Sequence, residues 1–440
     1  MPRRTWLMSR MFHLGFFSSF SPPAWHAATD RAHGEDWWSG DYHARLARHV
    51  EEACFDFLFF EDTSGVSRMF GGSMDTDLKN SLSAPKNDPV ALISYLSAVT
   101  TRLGLISTAS TTLYPPYLLA RLYSTVDGLS RGRAGWNIVT SSEEESAHNY
   151  GYEALPPPGE RYDRAEEFVD VARQLWTSWE EGAVVRDHDR GIHTDPAKVH
   201  EINHVGKHFK VRGPLNSFPS PQRVPVLAQA GGSPRGRDFA ARNAELIMAT
   251  TIGGIDAMRA FREDIHGRMK TFGRSPDECR IMYATHVHVT DGSRDLRSTV
   301  TDSQLVSMLG KHAAHIGVDL FQYDLDAPLP EDVVANGTTS MLDSIKDKGR
   351  QGITLREAIL DICLGDDELG VVGTADDIAH NLAGAMEAVG GDGFIIMATQ
   401  NANEEHVSGI LDEVVPRLQR MGVARTGYSG ATLRENLFAF

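Results

Sequence analysis

Two histidines and a glutamate at metal-ligand spacing are the loudest chemistry in the chain, in His200-Glu201-Ile202-Asn203-His204. On a helix, that spacing sets two imidazoles on one face to bind zinc, with the glutamate as general base. The flanks argue against a helix. Pro196 lies four residues before the motif and Gly206 two residues after it, in polar, loop-like sequence. No apolar stripe follows the second histidine, so a zinc hydrolase at His200 and His204 is a remote reading. A second motif, Ala228-Gln229-Ala230-Gly231-Gly232-Ser233-Pro234, joins a β-branched run to a helical one. Small residues there admit a ligand close to the backbone. The free N–H groups of a helix start, with Ser233 as a side-chain donor, form an anion pocket. The same residues serve equally as a simple cap, with Pro234 at the first helical position.

Asp62 closes the string FDFLFFED, while Thr108 sits in LISTAST and Asn137 in GWNIVTSS. Each reads as the tip of a strand and, taken singly, as turn chemistry. Three polar tips on successive strands suggest a shared site. His315 lies in Lys-His-Ala-Ala-His-Ile-Gly, far along a long insertion. The acid run Glu143-Glu144-Glu145 reads as a solvated face. No GxSxG elbow occurs, so a serine triad is not assembled.

The elements that must carry these residues recur in a fixed alternation. Apolar runs at His13–Phe17, Phe57–Phe60, Leu103–Ser107, Ala134–Val139, Val224–Ala228, Glu245–Ala249, Ile281–Val289 and Gly393–Ala398 predict strands. Helical stretches at Tyr42–Ala53, Val90–Thr100, Tyr117–Leu129, Arg161–Glu181, Gly236–Asn243, Ile255–Phe272 and Glu404–Met421 separate or follow them. About eight βα units predict an α/β fold, a closed (β/α)8 TIM barrel spanning 1–440 as one domain. Insertions are expected near 63–88, 141–160, 182–223 and 293–391. The first, second and fourth follow strands, and so rise from the face that holds a barrel's active site. No GxGxxG and no GxxxxGK[ST] is present, which disfavours an open nucleotide-binding sheet.

Lysine and arginine total 43 against 59 acids, a net charge of −16. A surface that acidic repels phosphate backbones and anionic lipid, so neither nucleic acid nor membrane is an expected partner. Cys54, Cys279 and Cys363 lie far apart, which suits a reducing cytoplasm. The opening MPRRTWLMSRMFHLGFFSSFSPPAW reads as an ordered first strand rather than a signal peptide.

Taken together, FDFLFFED, NDPVALISYLSAVT, LISTASTTLYPPYLLAR, GWNIVTSS, ERYDRAEEF, DPAKVHEINHVGKHFKVRGP and VLAQAGGSPRGRDFAARNAE resemble the reduced-flavin monooxygenases of the bacterial luciferase superfamily. The match is best to the subgroup acting on nitrilotriacetate, dibenzothiophene sulfone, long-chain alkanes and hexachlorobenzene, and it extends from about His13 to about Leu437. The resemblance implies FMNH2 as a diffusible cofactor, O2 as co-substrate and a peroxyflavin as oxidant. It also implies a separate NAD(P)H:flavin reductase as partner, and a homodimer or homotetramer. Carried over, Asp62, Thr108 and Asn137 match positions around the flavin ring. Ser142, Tyr162, Gly232 and Ser233 match positions along the ribityl chain and phosphate. His315 matches an active-site histidine and, with Thr108 and Asn137, is the expected catalytic set. No metal is implied, because a similar HEINH segment belongs to this subgroup's insertion. Ser142 stands where the alkane enzyme has a histidine, and Ser67 where it has a tyrosine.

The expected substrate is hydrophobic, aromatic and sulfur- or halogen-bearing. Phe16, Phe17, Phe20, Trp25, Phe59 and Phe60 lie at or near strand ends, whereas cations there are few: Arg68, Lys79 and Lys86. An aminopolycarboxylate or alkane monooxygenase, or a deazaflavin-dependent oxidoreductase of the same superfamily, are the alternatives.

Overall fold

Eight short apolar runs pair side by side, all parallel, and the last closes on the first. The strands are β1 His13–Ser19, β2 Phe57–Glu61, β3 Gly104–Ser110, β4 Ala134–Val139, β5 Val226–Gln229, β6 Leu246–Thr250, β7 Arg280–His286 and β8 Gly393–Met397. Their order around the closed barrel follows the chain, as expected of a (β/α)8 barrel. The computed structural model describes residues 10–26, 30, 32–291, 296–335, 337, 339–364, 369–398 and 403–440. The first nine residues of the opening segment therefore lie outside the described residues.

Register sets which rings turn inward. Phe17 of β1 lies opposite Phe59 of β2 on one side and Met397 of β8 on the other. Successive strand residues alternate faces. Phe17 and Phe59 accordingly join the barrel interior, while Phe16 and Phe60 pack outward against the helices. Phe20 also belongs to that outer core, and Trp25 is exposed. Of the six rings read as possible pocket walls, Phe17 and Phe59 are the two inside the barrel.

Prolines mark several helix starts. Pro89, Pro116, Pro158 and Pro234 open the helices Pro89–Val99, Pro116–Leu129, Pro158–Trp176 and Pro234–Asn243. Proline suits that place because its missing N–H would be unbonded there anyway. At the N-terminal end of the barrel, the helix Leu433–Leu437 plugs the floor. Glycine makes room for it: a Cβ on Gly104 would lie 2.4 Å from the Leu433 side chain.

The stretch read as an insertion over 293–391 holds two kinds of structure. Helices Asp302–Ile316, Thr339–Arg350 and Leu355–Leu364 form a cap with its own core, including Leu309, Ile316, Ile345 and Ile359. The helix Ala375–Val389, capped by Thr374, instead packs on the main core between β7 and β8. Its Ile378, Leu382, Met386 and Val389 recur at helical spacing and are all buried.

Candidate active site

A cavity of about 820 Å3 opens at the C-terminal ends of the strands, beneath the insertions. Its lining includes all eight residues singled out from the sequence: Asp62, Thr108, Asn137, Ser142, Tyr162, Gly232, Ser233 and His315. They come from β3, β4, the loops after β2, β4 and β5, the helix Pro158–Trp176 and the cap helix Asp302–Ile316. Chain closure of the barrel brings them together. Phe17 and Phe59, stacked with centroids 5.3 Å apart, and the thioethers of Met248 and Met397 give the cavity an apolar wall.

The floor carries an unspent polar atom. Asn137 donates its Nδ2 to Thr108 Oγ1 at 2.9 Å, and Thr108 donates onward to the Phe60 carbonyl at 2.8 Å. Thr108 thereby fixes Asn137, and its single proton goes to the backbone rather than into the cavity. Asn137 Oδ1 is a buried acceptor there with no hydrogen-bond partner; Gln229 Oε1 is also unpaired, but Gln229 pairs in register with the outward-facing Ile138. Leaving such an atom unpaired costs about 1–3 kcal/mol, so a ligand bearing N–H groups suits this floor.

Anion chemistry gathers where β5 runs into its helix. Ser233 Oγ accepts from Gly236 N at 3.1 Å as the N-cap and directs its hydroxyl toward Tyr162, from which a bound anion would take it. Capping and anion binding therefore coexist. A Cβ on Gly236 would stand 2.8 Å from the Tyr162 hydroxyl and 3.1 Å from Ser233 Oγ, so glycine keeps this cradle open. Arg161, almost fully buried, donates to the Ser141 carbonyl, and Arg235 lies over the Tyr162 ring at 5.8 Å. Arg161 was not legible as a site residue. It sits on an ordinary amphipathic helix.

The acid–base groups cluster on the opposite side. Burial raises the Glu61 carboxyl, but Lys86 Nζ, 2.7 Å from both oxygens, outweighs this and holds it at about 2. Burial lifts Asp62 to about 7, Lys86 opposing and Glu61 adding to the rise. Glu143 is lifted to about 7 for the same first reason. It accepts from the Thr63 hydroxyl and lies 3.8 Å from His315 Nε2. The surrounding protein pushes His315 down toward about 4, a push softened by water from the cavity, since the side chain is 48 % exposed. The expectation of a solvated acid run thus fails at Glu143, whose side chain is 12 % exposed. The cap covers it. Lys311, one helical turn before His315, also lines the cavity.

The HExxH segment adopts no helix. His200 pairs with Glu180 at 2.6 Å and His204 with Glu167 at 2.9 Å, the latter from a two-residue hairpin strand, His204–Val205. The flanking Pro196 and Gly206 agree with the missing helix, and the two imidazoles serve different carboxylates. Among the described residues, no helix is long and apolar enough to cross a membrane.

A parallel barrel with an apolar cavity, a small-residue turn at a helix N-terminus and buried carboxyls at its C-terminal face suits cofactor-assisted redox chemistry. The chain belongs to the luciferase-like monooxygenase family, whose model matches residues 12–393. It is therefore an oxidoreductase of the monooxygenase class. It is similar to nitrilotriacetate monooxygenase component A of Aminobacter aminovorans, 37 % identical over 415 residues, which cover 90 % of this chain and 89 % of that one. It is also similar to dibenzothiophene-sulfone monooxygenase of Rhodococcus erythropolis (strain XP), 36 % identical over 460 residues, 97 % and 96 % of the two chains. Among solved structures, a riboflavin lyase with modified FMN and substrate riboflavin superposes with a TM-score of 0.84 at 29 % identity, covering 98 % of this chain and 96 % of that one. The family read from the motifs is borne out.

Proposed function

We propose that this protein is the oxygenase of a two-component system, taking reduced FMN from a separate NAD(P)H:flavin reductase and using O2 to oxidise or cleave a hydrophobic, aromatic sulfur- or halogen-bearing compound. The observation that carries this reading is the orphaned acceptor Asn137 Oδ1 and the small-residue turn Gly231–Ser233, kept open by Gly236, along one cavity. A flavin ring and its phosphate fit those two needs. Bound there, reduced FMN supplies the electrons that activate O2.

This chain's own residues then have distinct tasks. Ser233, the amides after it, Gly232 and Tyr162 hold the phosphate, with Arg161 and Arg235 adjacent in charge. Asp62, Ser142 and Asn137 border the ring and its side chain, Thr108 fixing the Asn137 amide. Phe17, Phe59, Met248 and Met397 keep the reacting end dry, and the segment 63–88 with the cap helices Asp302–Ile316, Thr339–Arg350 and Leu355–Leu364 covers it. Glu143 holds a proton beside His315, and the pair exchanges it with substrate. Aminopolycarboxylates fit less well. Arg68 and Lys79 are exposed and outside the cavity lining, and Lys86 is already tied to Glu61. Three separate cysteines, two of them buried, accord with a cytoplasmic setting.

The test is a panel of aryl sulfones, halogenated phenols and benzenes, alkanes and aminopolycarboxylates, run with NADH, FMN, a flavin reductase and 18O2. Label is expected in products of the aromatic compounds, and only with reductase present. Label confined to the aminopolycarboxylates, or turnover with NADH and FMN alone, would overturn the reading.

A further inference from the structure

Charge inside the cavity is compensated almost everywhere. Lys86 neutralises Glu61 at 2.7 Å, and Asp361 is held by Arg297 at 2.5 Å and Lys348 at 2.8 Å. The cations near Ser233 stand at one pole: Arg161 feels Tyr162 and Glu144, and Arg235 pairs with Asp163 and Glu166. Lys311 belongs to a different pole. It feels the Glu61–Lys86 pair, Cys363 and Asp77, and it makes no hydrogen bond or ion pair to any described residue. At i and i+4 on one helix, Lys311 and His315 face the same way, and both line the cavity.

An ammonium drawn out of water without a counter-ion is costly, and burial pushes Lys311 down to about 8. A ligand that brings its own negative charge removes that cost. Among the described residues of the cap helix, Lys311 is a cavity-lining cation with no ion pair, and a single anionic group matches it. A polycarboxylate would bring further charges that Lys311 alone cannot neutralise.

Resting on the function proposed above, we infer that Lys311 binds an anionic group of the substrate, an apolar aromatic molecule carrying a single carboxylate, sulfonate or sulfinate. The reacting bond then lies next to His315, one turn along the same helix. Nothing in the HExxH segment or the strand tips encodes this preference.

Calorimetric titration of the full chain with FMN present tests it, using 2-naphthoate, its neutral isostere 2-naphthamide, and nitrilotriacetate. Naphthoate is expected to bind at least about tenfold more tightly than either of the others. Lys311→Met should erase that margin while leaving naphthamide binding intact, and Lys311→Arg should keep it. Naphthoate binding no tighter than naphthamide, a margin that survives in Lys311→Met, or tighter binding of nitrilotriacetate would each overturn the assignment. Loss of FMN binding with the naphthoate margin intact would instead refute the flavin reading and leave the Lys311 site standing.

Discussion

Glu143 Oε1 lies 3.8 Å from His315 Nε2, on the one face where the loop after β4 meets the cap helix. Burial raises the carboxyl to about 7, while the imidazole, half exposed to the cavity, is held below its ordinary value. At neutral pH the pair is therefore a half-protonated acid beside an uncharged ring, and the proton that titrates near 7 belongs to Glu143. Asp62 is raised to about 7 as well, so two variants assign the inflection expected near pH 7: Glu143→Gln should remove it with a loss of about a hundredfold in kcat, and Asp62→Asn should leave it in place. An inflection near 6.5 that survives Glu143→Gln and disappears in His315→Gln would assign the proton to the histidine.

Stability should carry the same signature. A carboxyl whose folded pKa rises from 4.5 to about 7 costs nothing below 4.5; the penalty grows up to pH 7 and is complete above it. Glu143→Gln is spared that penalty. Relative to the parent, the variant should gain about 2–3 kcal/mol between pH 4.5 and pH 8, a few degrees in Tm. Thermal melts at the two pH values read the difference. Equal gaps at both would contradict a raised Glu143.

Ser233 separates phosphate from ring binding. Ser233→Ala loses a hydroxyl donor to the phosphate and should weaken FMN by about 1.5–3 kcal/mol, that is, about 10- to 150-fold. Riboflavin, which lacks the phosphate, should bind both proteins alike. A matching loss for riboflavin in a fluorescence titration would mean that the substitution acts by loosening the helix cap instead.

At the other end of the barrel, Asp56 accepts from His13 Nδ1 and Leu14 N, each at 2.9 Å, and pairs with Arg425 at 2.8 Å. All four residues are buried. Asp56→Ala leaves the Arg425 guanidinium buried without its carboxylate and should cost about 3–5 kcal/mol in stability. FMN affinity well below the melting temperature should not change. A variant as stable as the parent would show that the hub is dispensable.

The barrel was legible because buried parallel strands read as short apolar runs, and each of the eight expected runs overlaps a strand. Asp62, Thr108 and Asn137 could be found because a polar residue ending such a run marks the strand tip. Glu143 and Lys311 could not. Their local sequences describe an acid run and an amphipathic helix, and only the docking of the cap on the barrel turns them inward. The helix Ala375–Val389 was missed for a different reason. Its apolar spacing was present, but it lay within a stretch already assigned to an insertion.

Anaerobic titration with photoreduced FMN tests the central claim without a reductase or a known substrate. Reduced FMN carries an N–H at N5 that the oxidised ring lacks, and the orphaned Asn137 oxygen on the barrel floor is an acceptor for it. Reduced FMN should bind at least about tenfold more tightly than oxidised FMN, with riboflavin weaker than FMN in either state. Equal affinity for both redox states, or no binding of reduced FMN at all, would contradict the account.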